Sequence, residues 1–139
     1  MSVDLPTGAV IEYPYLWRLQ HEPGESEGRK TRPVCVMISV RGRDGFTHLA
    51  LLAISSRPPG GNQTALEVPE IECRRAGLSE WKRAWITISE YNYDIAERSY
   101  YFDGNQPPLG RFSKPFLMRL AAAFAPLVQE GQARVDRSE

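Results

Sequence analysis

The chain has 139 residues, 42% of them hydrophobic, and its 17 basic residues balance its 17 acidic residues. A chain of this length can bury one sizeable core and hardly two, so we expect a single domain. The balanced charge gives no overall positive field to attract nucleic acid, and any such binding must come from a local patch of cations.

The N-terminal sequence MSVDLPTGAV lacks the basic start and the apolar run of a signal peptide. No run of about 18 apolar residues, the length that spans a bilayer, occurs in the sequence. The two cysteines, Cys35 and Cys73, are far fewer than in disulfide-stapled secreted domains, so both are expected to be free thiols. We therefore expect a cytoplasmic protein with no membrane partner.

The first part of the chain predicts three strands. Residues 9–17 are rich in aromatic and β-branched side chains, and Pro14 confines this strand to a sheet edge or a bulge. Residues 18–32 combine proline and glycine with many charged side chains, a composition typical of a long loop. Residues 34–40 form an apolar run, and residues 47–55 follow a tight turn as its hairpin partner.

The middle of the chain predicts shorter elements. Residues 56–63 are rich in glycine and proline and lead into a short strand at residues 64–68. A helical turn is expected between residues 70 and 77. Residues 84–91 alternate apolar and polar side chains as a half-buried strand does, and residues 99–103 are expected to add a last short strand.

An amphipathic helix closes the predicted domain. Ser113 can cap its N-terminus, and Pro115 is tolerated in a first helical turn. Apolar side chains then recur at helical spacing at Phe116, Leu117, Leu120, Ala121, Phe124, Leu127 and Val128. Many short strands and one terminal helix predict a mainly β fold, a small SH3-like barrel over residues 1–131 with a polar tail at residues 132–139.

Several short motifs occur in the order and spacing of one protein family. They are Gly8 with Val10 and Ile11, Ser26-Glu27 and Arg32-Pro33 around the long loop, Ala53-Ile54-Ser55-Ser56 at a strand end, and Gly77-Leu78 with Ser79, Trp85, Ile86 and Glu90. In these motifs the chain resembles the PemK/MazF toxins of bacterial toxin–antitoxin modules. It departs from the family at residues 90–92, where members commonly carry Gln and Arg and this chain has Glu-Tyr-Asn.

The resemblance implies an SH3-like barrel that acts as an endoribonuclease toxin on single-stranded RNA, forms a homodimer and is neutralised by an antitoxin protein. It also implies catalytic roles for three residues. Arg32 matches the catalytic arginine of the family, Ser55 matches its catalytic Thr or Ser, and Ser26 matches a further active-site serine of some members.

The side-chain chemistry agrees with these roles. RNA can be cut by its own 2′-hydroxyl, which attacks the neighbouring phosphorus while the enzyme moves protons and stabilises the oxyanion. A guanidinium such as that of Arg32 stays charged and matches phosphate oxygens with a planar fork, and the hydroxyl of Ser55 can donate to the same oxygen. The predicted RNA-binding cations are Arg18, Arg29, Lys30 and Arg57.

Neither a metal nor a cofactor is predicted. The histidines and cysteines form no paired ligand spacing, and no cluster of Asp and Glu resembles a two-metal nuclease. Gly60-Gly61 follows two prolines and precedes no helix, unlike a phosphate-binding loop. His21, in a polar loop, is interpreted as solvated rather than as a proton shuttle.

Each candidate residue also has a structural interpretation. An arginine beside a strand is usually solvated or structural, and serines before a proline-rich loop commonly shape a turn. Most aromatic residues, Trp17 and Trp85 above all, are expected to pack in the core, with a minority stacking on RNA bases. The main alternative function is a non-catalytic SH3-like module that binds nucleic acid or protein, and a third is a DNA-directed inhibitor.

Overall fold

The computed structural model describes residues 5–17, 31–78, 81–99, 106–129 and 134–137. Within them the chain forms two α-helices, α1 (Glu70–Arg75) and α2 (Lys114–Gln129), and a 3₁₀ turn at Ala96–Arg98. The strands are β1 (Ala9–Tyr13), β2 (Arg32–Arg41), β3 (Thr47–Ser55), β4 (Ala65–Val68), β5 (Ala84–Thr87), β6 (Tyr91–Ile95), β7 (Gly110–Arg111) and β8 (Arg134–Asp136). Neither helix in these ranges has the length and apolar character needed to cross a membrane.

The strands form a curled, mainly antiparallel sheet, which confirms the predicted mainly β fold with a C-terminal helix and a small barrel-like shape. Its strand order is β4-β5-β3-β2-β1-β7, and β6 pairs with β3 and β8. The long β2–β3 hairpin is central, and its turn uses Gly45 at a φ of 83°, where glycine is favoured. β3 pairs with β5 near its end and with β6 near its start, so the sheet bends around it.

Apolar side chains pack on both faces of this sheet. On one face α2 packs Phe116, Leu120 and Phe124 against alternate residues of β2, β3 and β5. On the other face the remaining alternate residues of β2 and β3 pack with Tyr13 and Tyr15. Because side chains alternate along a strand, this division decides which face each residue at a strand end occupies.

Helix α2 begins where the sequence predicts. Ser113 Oγ accepts the backbone N–H of Phe116 at 3.3 Å and so caps the first turn. Glu72 of α1, itself buried, accepts the backbone N–H of Ser113 at 2.9 Å and its hydroxyl at 2.6 Å. The two helices are thus joined at one end, which fixes α2 over the sheet.

The structure differs from the predicted elements at several places, of which three change the shape of the sheet. β1 ends at Tyr13, because Pro14 has no N–H to offer the ladder. Residues 84–91 do not form one strand: between the pairs Ile54–Ile86 and Leu51–Asn92, three steps along β3 are matched by six along its partner. The extra residues form the bend between β5 and β6.

The third difference lies at the C-terminus. The polar tail predicted at residues 132–139 contains β8, which pairs in parallel with β6 and buries Val135. Of the strand predicted at residues 99–103, Ser99 lies outside any strand and the other four residues lie outside the described ranges. The tail joins the sheet because its backbone pairs with β6, and not because its side chains are apolar.

Candidate functional site

Arg32 and Ser55 lie on neighbouring strands at one end of the β2–β3 hairpin. β2 begins at Arg32, two residues before the predicted strand, and β3 ends at Ser55 as predicted. The register pairs Val34 with Ala53, and both face the core on the side away from α2. Arg32 and Ser55 each lie two residues from that pair, so they project from the same face. The structure therefore places two of the predicted catalytic residues together.

The guanidinium of Arg32 is half-buried over an aromatic ring. Its Cζ lies 5.2 Å from the ring centroid of Trp17, close enough for a cation–π contact. Burial lowers the pKa of Arg32, Tyr15 opposes this shift, and the nearby Arg57 cation adds to it. In the part of the chain that the structure describes, no carboxylate forms an ion pair with Arg32. No described carboxylate therefore balances its charge.

The hydroxyl of Ser55 accepts one hydrogen bond from the backbone. Its Oγ accepts the backbone N–H of Arg57 at 3.0 Å, in a short turn that follows β3. No described residue accepts a hydrogen bond from that hydroxyl, so it can donate to an incoming oxygen. The same turn brings Arg57, an exposed cation, close enough to Arg32 to influence its pKa.

Residues 13–17, which we call the aromatic arm, are fixed by polar side chains of β6. Asn92 accepts the backbone N–H of Leu16 through Oδ1 at 2.9 Å and donates from Nδ2 to the Leu16 carbonyl at 2.8 Å. Both residues are fully buried. The amide therefore takes the place of a strand partner for backbone groups that Pro14 has removed from the ladder.

Two buried carboxylates hold the tyrosines of the aromatic arm. The Tyr13 hydroxyl donates to Asp94 at 2.7 Å, and the Tyr15 hydroxyl donates to Glu90 at 3.1 Å. Burial, followed by the charge of Glu90, raises the pKa of Tyr15 well above its ordinary value, so this phenol stays protonated at neutral pH. Tyr15 and Trp17 meet edge to face with centroids 4.9 Å apart, so the network also positions the ring beneath Arg32.

Trp85 lies on the other side of Ser55. The β3–β5 register pairs Ser55 with Trp85, and the β4–β5 register pairs Trp85 with Glu67. Directly paired residues of antiparallel strands project from one face. Arg32, Ser55 and Trp85 consequently form a line across three neighbouring strands, which we call the site row.

The sequence pattern predicted that Trp85 packs in the core, and this prediction is wrong. Trp85 is half-buried, because it alternates with the core residues Ala84 and Ile86 and so faces away from α2. The Cζ of Arg83 lies 4.8 Å from the Trp85 ring centroid. Glu67 Oε2 holds that guanidinium through Nε at 3.2 Å and Nη2 at 3.1 Å. Trp17, by contrast, is half-buried but packs against the core on the face away from α2, as predicted.

The other predicted site residues lie outside the described ranges. These are Ser26, Arg18, Arg29 and Lys30, together with His21. The sequence reasoning also missed the partners of the aromatic arm. A signal for them exists, because Glu90, Asn92 and Asp94 alternate with larger side chains at the spacing of a strand whose polar face is buried.

Among the described residues, the histidine and the acidic side chain that bonds it lie away from the site row. His48, at the opposite end of β3 from Ser55, shares one hydrogen bond with the Tyr93 hydroxyl at Nδ1 and another with Asp44 at Nε2. Among the described residues no three His, Cys, Asp or Glu side chains are grouped as metal ligands.

Comparisons with protein-family models, curated proteins and solved structures gave no match to this chain. The function is therefore argued from the residues of the site row and their surroundings.

Proposed function

We propose that this protein is a toxin-like endoribonuclease that cleaves single-stranded RNA through attack by the RNA's own 2′-hydroxyl. The observation that carries the proposal is the juxtaposition of Arg32 and Ser55 on one face of the β2–β3 hairpin. One supplies a guanidinium without a described carboxylate partner, and the other supplies a hydroxyl whose hydrogen no described residue accepts. Both groups suit a phosphate oxygen.

In this reaction Arg32 and Ser55 bind a non-bridging oxygen of the scissile phosphate. The 2′-oxygen forms a bond to phosphorus and gives up its proton to a base, while the bond from phosphorus to the 5′-oxygen breaks and that oxygen gains a proton. Negative charge grows on the non-bridging oxygens, so a fixed guanidinium stabilises the transition state more than the bound substrate. The products carry a 2′,3′-cyclic phosphate and a 5′-hydroxyl.

The proposal extends to the partners that the family resemblance implies. Arg57 is exposed beside Arg32, and the predicted cations Arg18, Arg29 and Lys30 precede it in the sequence. A patch formed by these cations would attract RNA locally although the net charge is zero. An antitoxin with an acidic segment would neutralise the protein by covering the same cations. We expect the toxin to be a cytoplasmic homodimer.

A second candidate function is a non-catalytic module that binds nucleic acid or protein through the same surface. It is favoured by the burial and the hydrogen bonds of the two carboxylates that hold the aromatic arm. Glu90 and Asp94 are both buried and bonded to tyrosine hydroxyls, so neither is placed to take a proton from a 2′-hydroxyl. In this alternative Arg32 binds a phosphate that is never cleaved.

Incubation of the purified protein with a mixed single-stranded RNA, with and without magnesium, separates the two functions on a denaturing gel. The endoribonuclease gives fragments in both conditions, and mass spectra show 2′,3′-cyclic phosphate and 5′-hydroxyl ends. A binding module leaves the RNA intact. Fragments with 5′-phosphates would exclude the proposed reaction.

Arg32→Ala tests the role of the arginine. Its cleavage rate should fall about 10²–10³-fold, because one preorganised donor to the developing oxyanion is lost. Arg41→Ala is the matched control, since Arg41 is an exposed arginine at the opposite end of β2 and its removal should leave the rate unchanged. Wild-type activity in Arg32→Ala would remove Arg32 from the catalytic site.

A further inference from the structure

Two tryptophan–arginine pairs lie at the site row, and they differ in whether a carboxylate balances the charge of the arginine. Arg32 over Trp17 has no carboxylate partner among the described residues, whereas Arg83 over Trp85 is held by two contacts to Glu67. A guanidinium that no described carboxylate balances suits a phosphate. A guanidinium whose charge is already balanced, lying over an indole, suits a flat and uncharged group that stacks.

We propose that Trp85 and Arg83 form a stacking platform for a nucleobase of single-stranded RNA, beside the phosphate position at Arg32 and Ser55. The proposal rests on the proposed function for its ligand class. Strands lie about 4.8 Å apart, so two strand spacings place Trp85 roughly 10 Å from Arg32 across the sheet. A nucleotide with its phosphate at Ser55 therefore reaches the platform with a flanking base.

The strand pattern supports this assignment. Tryptophan is the largest apolar side chain, yet at this position it is half-buried on the face away from α2, while its neighbours Ala84 and Ile86 are fully buried. A half-buried tryptophan in contact with the Arg83 guanidinium, on the face that also carries Arg32 two strands away, is typical of surfaces that bind ligands. Every base has a π-face, so the platform accepts bases without a sequence preference of its own.

The test uses two probes of equal length. One is a fully 2′-O-methylated single-stranded RNA, which cannot be cleaved because its 2′-oxygens are blocked. The other is an abasic oligonucleotide with the same number of phosphates. Trp85→Leu should weaken binding of the base-containing probe about 5- to 100-fold and leave binding of the abasic probe unchanged. Trp85→Phe, which keeps a ring, should restore most of the affinity.

Three further variants complete the design. Trp81→Leu is the control, because Trp81 packs against the core beneath α2 and its loss should not change base binding in a protein that remains folded. Arg83→Gln changes an exposed side chain and so keeps the fold. It should weaken binding of the base-containing probe severalfold. Because this change also leaves Glu67 without its cation, the double variant Arg83→Gln with Glu67→Gln, which keeps the local charge at zero, should show the loss without a change in salt dependence.

The outcomes separate this proposal from the proposed function. Cleavage of unmodified RNA together with equal binding by wild type, Trp85→Leu and Arg83→Gln overturns the platform alone. Base-dependent binding that requires Trp85, without cleavage by the wild type, overturns the endoribonuclease and keeps the platform. If the wild type binds neither probe, both proposals are wrong.

Discussion

Asn92→Asp tests whether a buried amide holds the aromatic arm. The new side chain keeps an oxygen that accepts the N–H of Leu16, but it replaces the Nδ2 donor with an oxygen that faces the Leu16 carbonyl across the present 2.8 Å contact. One hydrogen bond becomes a repulsion between two acceptors. The carboxylate would also be fully buried, since Asn92 is inaccessible to solvent.

The magnitude follows from these two effects. A buried carbonyl left without a donor costs about 1–3 kcal/mol, and an uncompensated buried charge costs about 3–5 kcal/mol. We therefore expect Asn92→Asp to lower the free energy of unfolding by about 4–8 kcal/mol at pH 7. Asn92→Ala loses both hydrogen bonds without adding a charge and should cost about 2–4 kcal/mol.

Urea denaturation followed by circular dichroism at pH 7 and pH 5 measures both variants. Burial should raise the pKa of the new carboxyl in the folded state, so its penalty grows as the pH rises through that value and shrinks as the pH falls. The protonated carboxyl can also donate to the Leu16 carbonyl. Asn92→Ala should show no recovery at pH 5. A loss below about 1 kcal/mol at pH 7, or one that stays constant with pH, would refute the reasoning.

Three further predictions concern the rest of the fold. Burial raises the pKa of Asp94 in the folded protein, so its contribution to stability is present below about pH 3.9 and is lost as the pH rises through the folded pKa. In urea titrations, the stability of Asp94→Asn should therefore increase relative to that of the wild type between about pH 4 and 7. A stability difference that stays constant with pH would contradict this. Gly77→Ala should destabilise more than Gly45→Ala in the same assay. Both glycines have positive φ, but only at Gly77 would a Cβ meet backbone, that of Leu109, and equal losses would be inconsistent with this contact. Burial raises the pKa of Cys35 to about 12, so a thiol reagent at pH 8 should label Cys35 only when the protein unfolds. Rapid labelling of Cys35 in the native protein would show instead that β2 opens locally.

Sequence pattern predicted the elements that local physics determines. β3 covers the predicted residues, and Ser113 caps α2 as expected, because alternation and capping act within a few residues. The bend between β5 and β6 depends instead on how β3 pairs with both strands. β8 depends on a parallel partner distant in the chain, and its own composition is polar apart from Val135.

The candidate site also has a part that the sequence predicts and a part that it does not. Hairpin partners are neighbours, so the proximity of Arg32 and Ser55 could be expected from the order of their strands. The position of Trp85 could not, because it depends on the register between β3 and β5. The bond between Tyr15 and Glu90 joins residues 75 positions apart, and no local pattern specifies it. Glu90 and Asn92 therefore have a structural role that only tertiary contacts reveal.

Arg32→Leu tests whether Arg32 contributes to the stability of the fold. A leucine at this half-buried strand position buries apolar surface and avoids the partial dehydration of a guanidinium, while it gives up a cation–π contact with Trp17 worth about 0.5–1 kcal/mol. We expect the free energy of unfolding in urea to stay within about 1 kcal/mol of the wild type or to rise, and cleavage on the gel to be lost. Residues kept without benefit to stability are typical of functional sites, so this combination would connect Arg32 to a ligand. A loss of more than about 2 kcal/mol would instead make Arg32 a structural partner of Trp17, and both candidate functions would then lose the cation on which they depend.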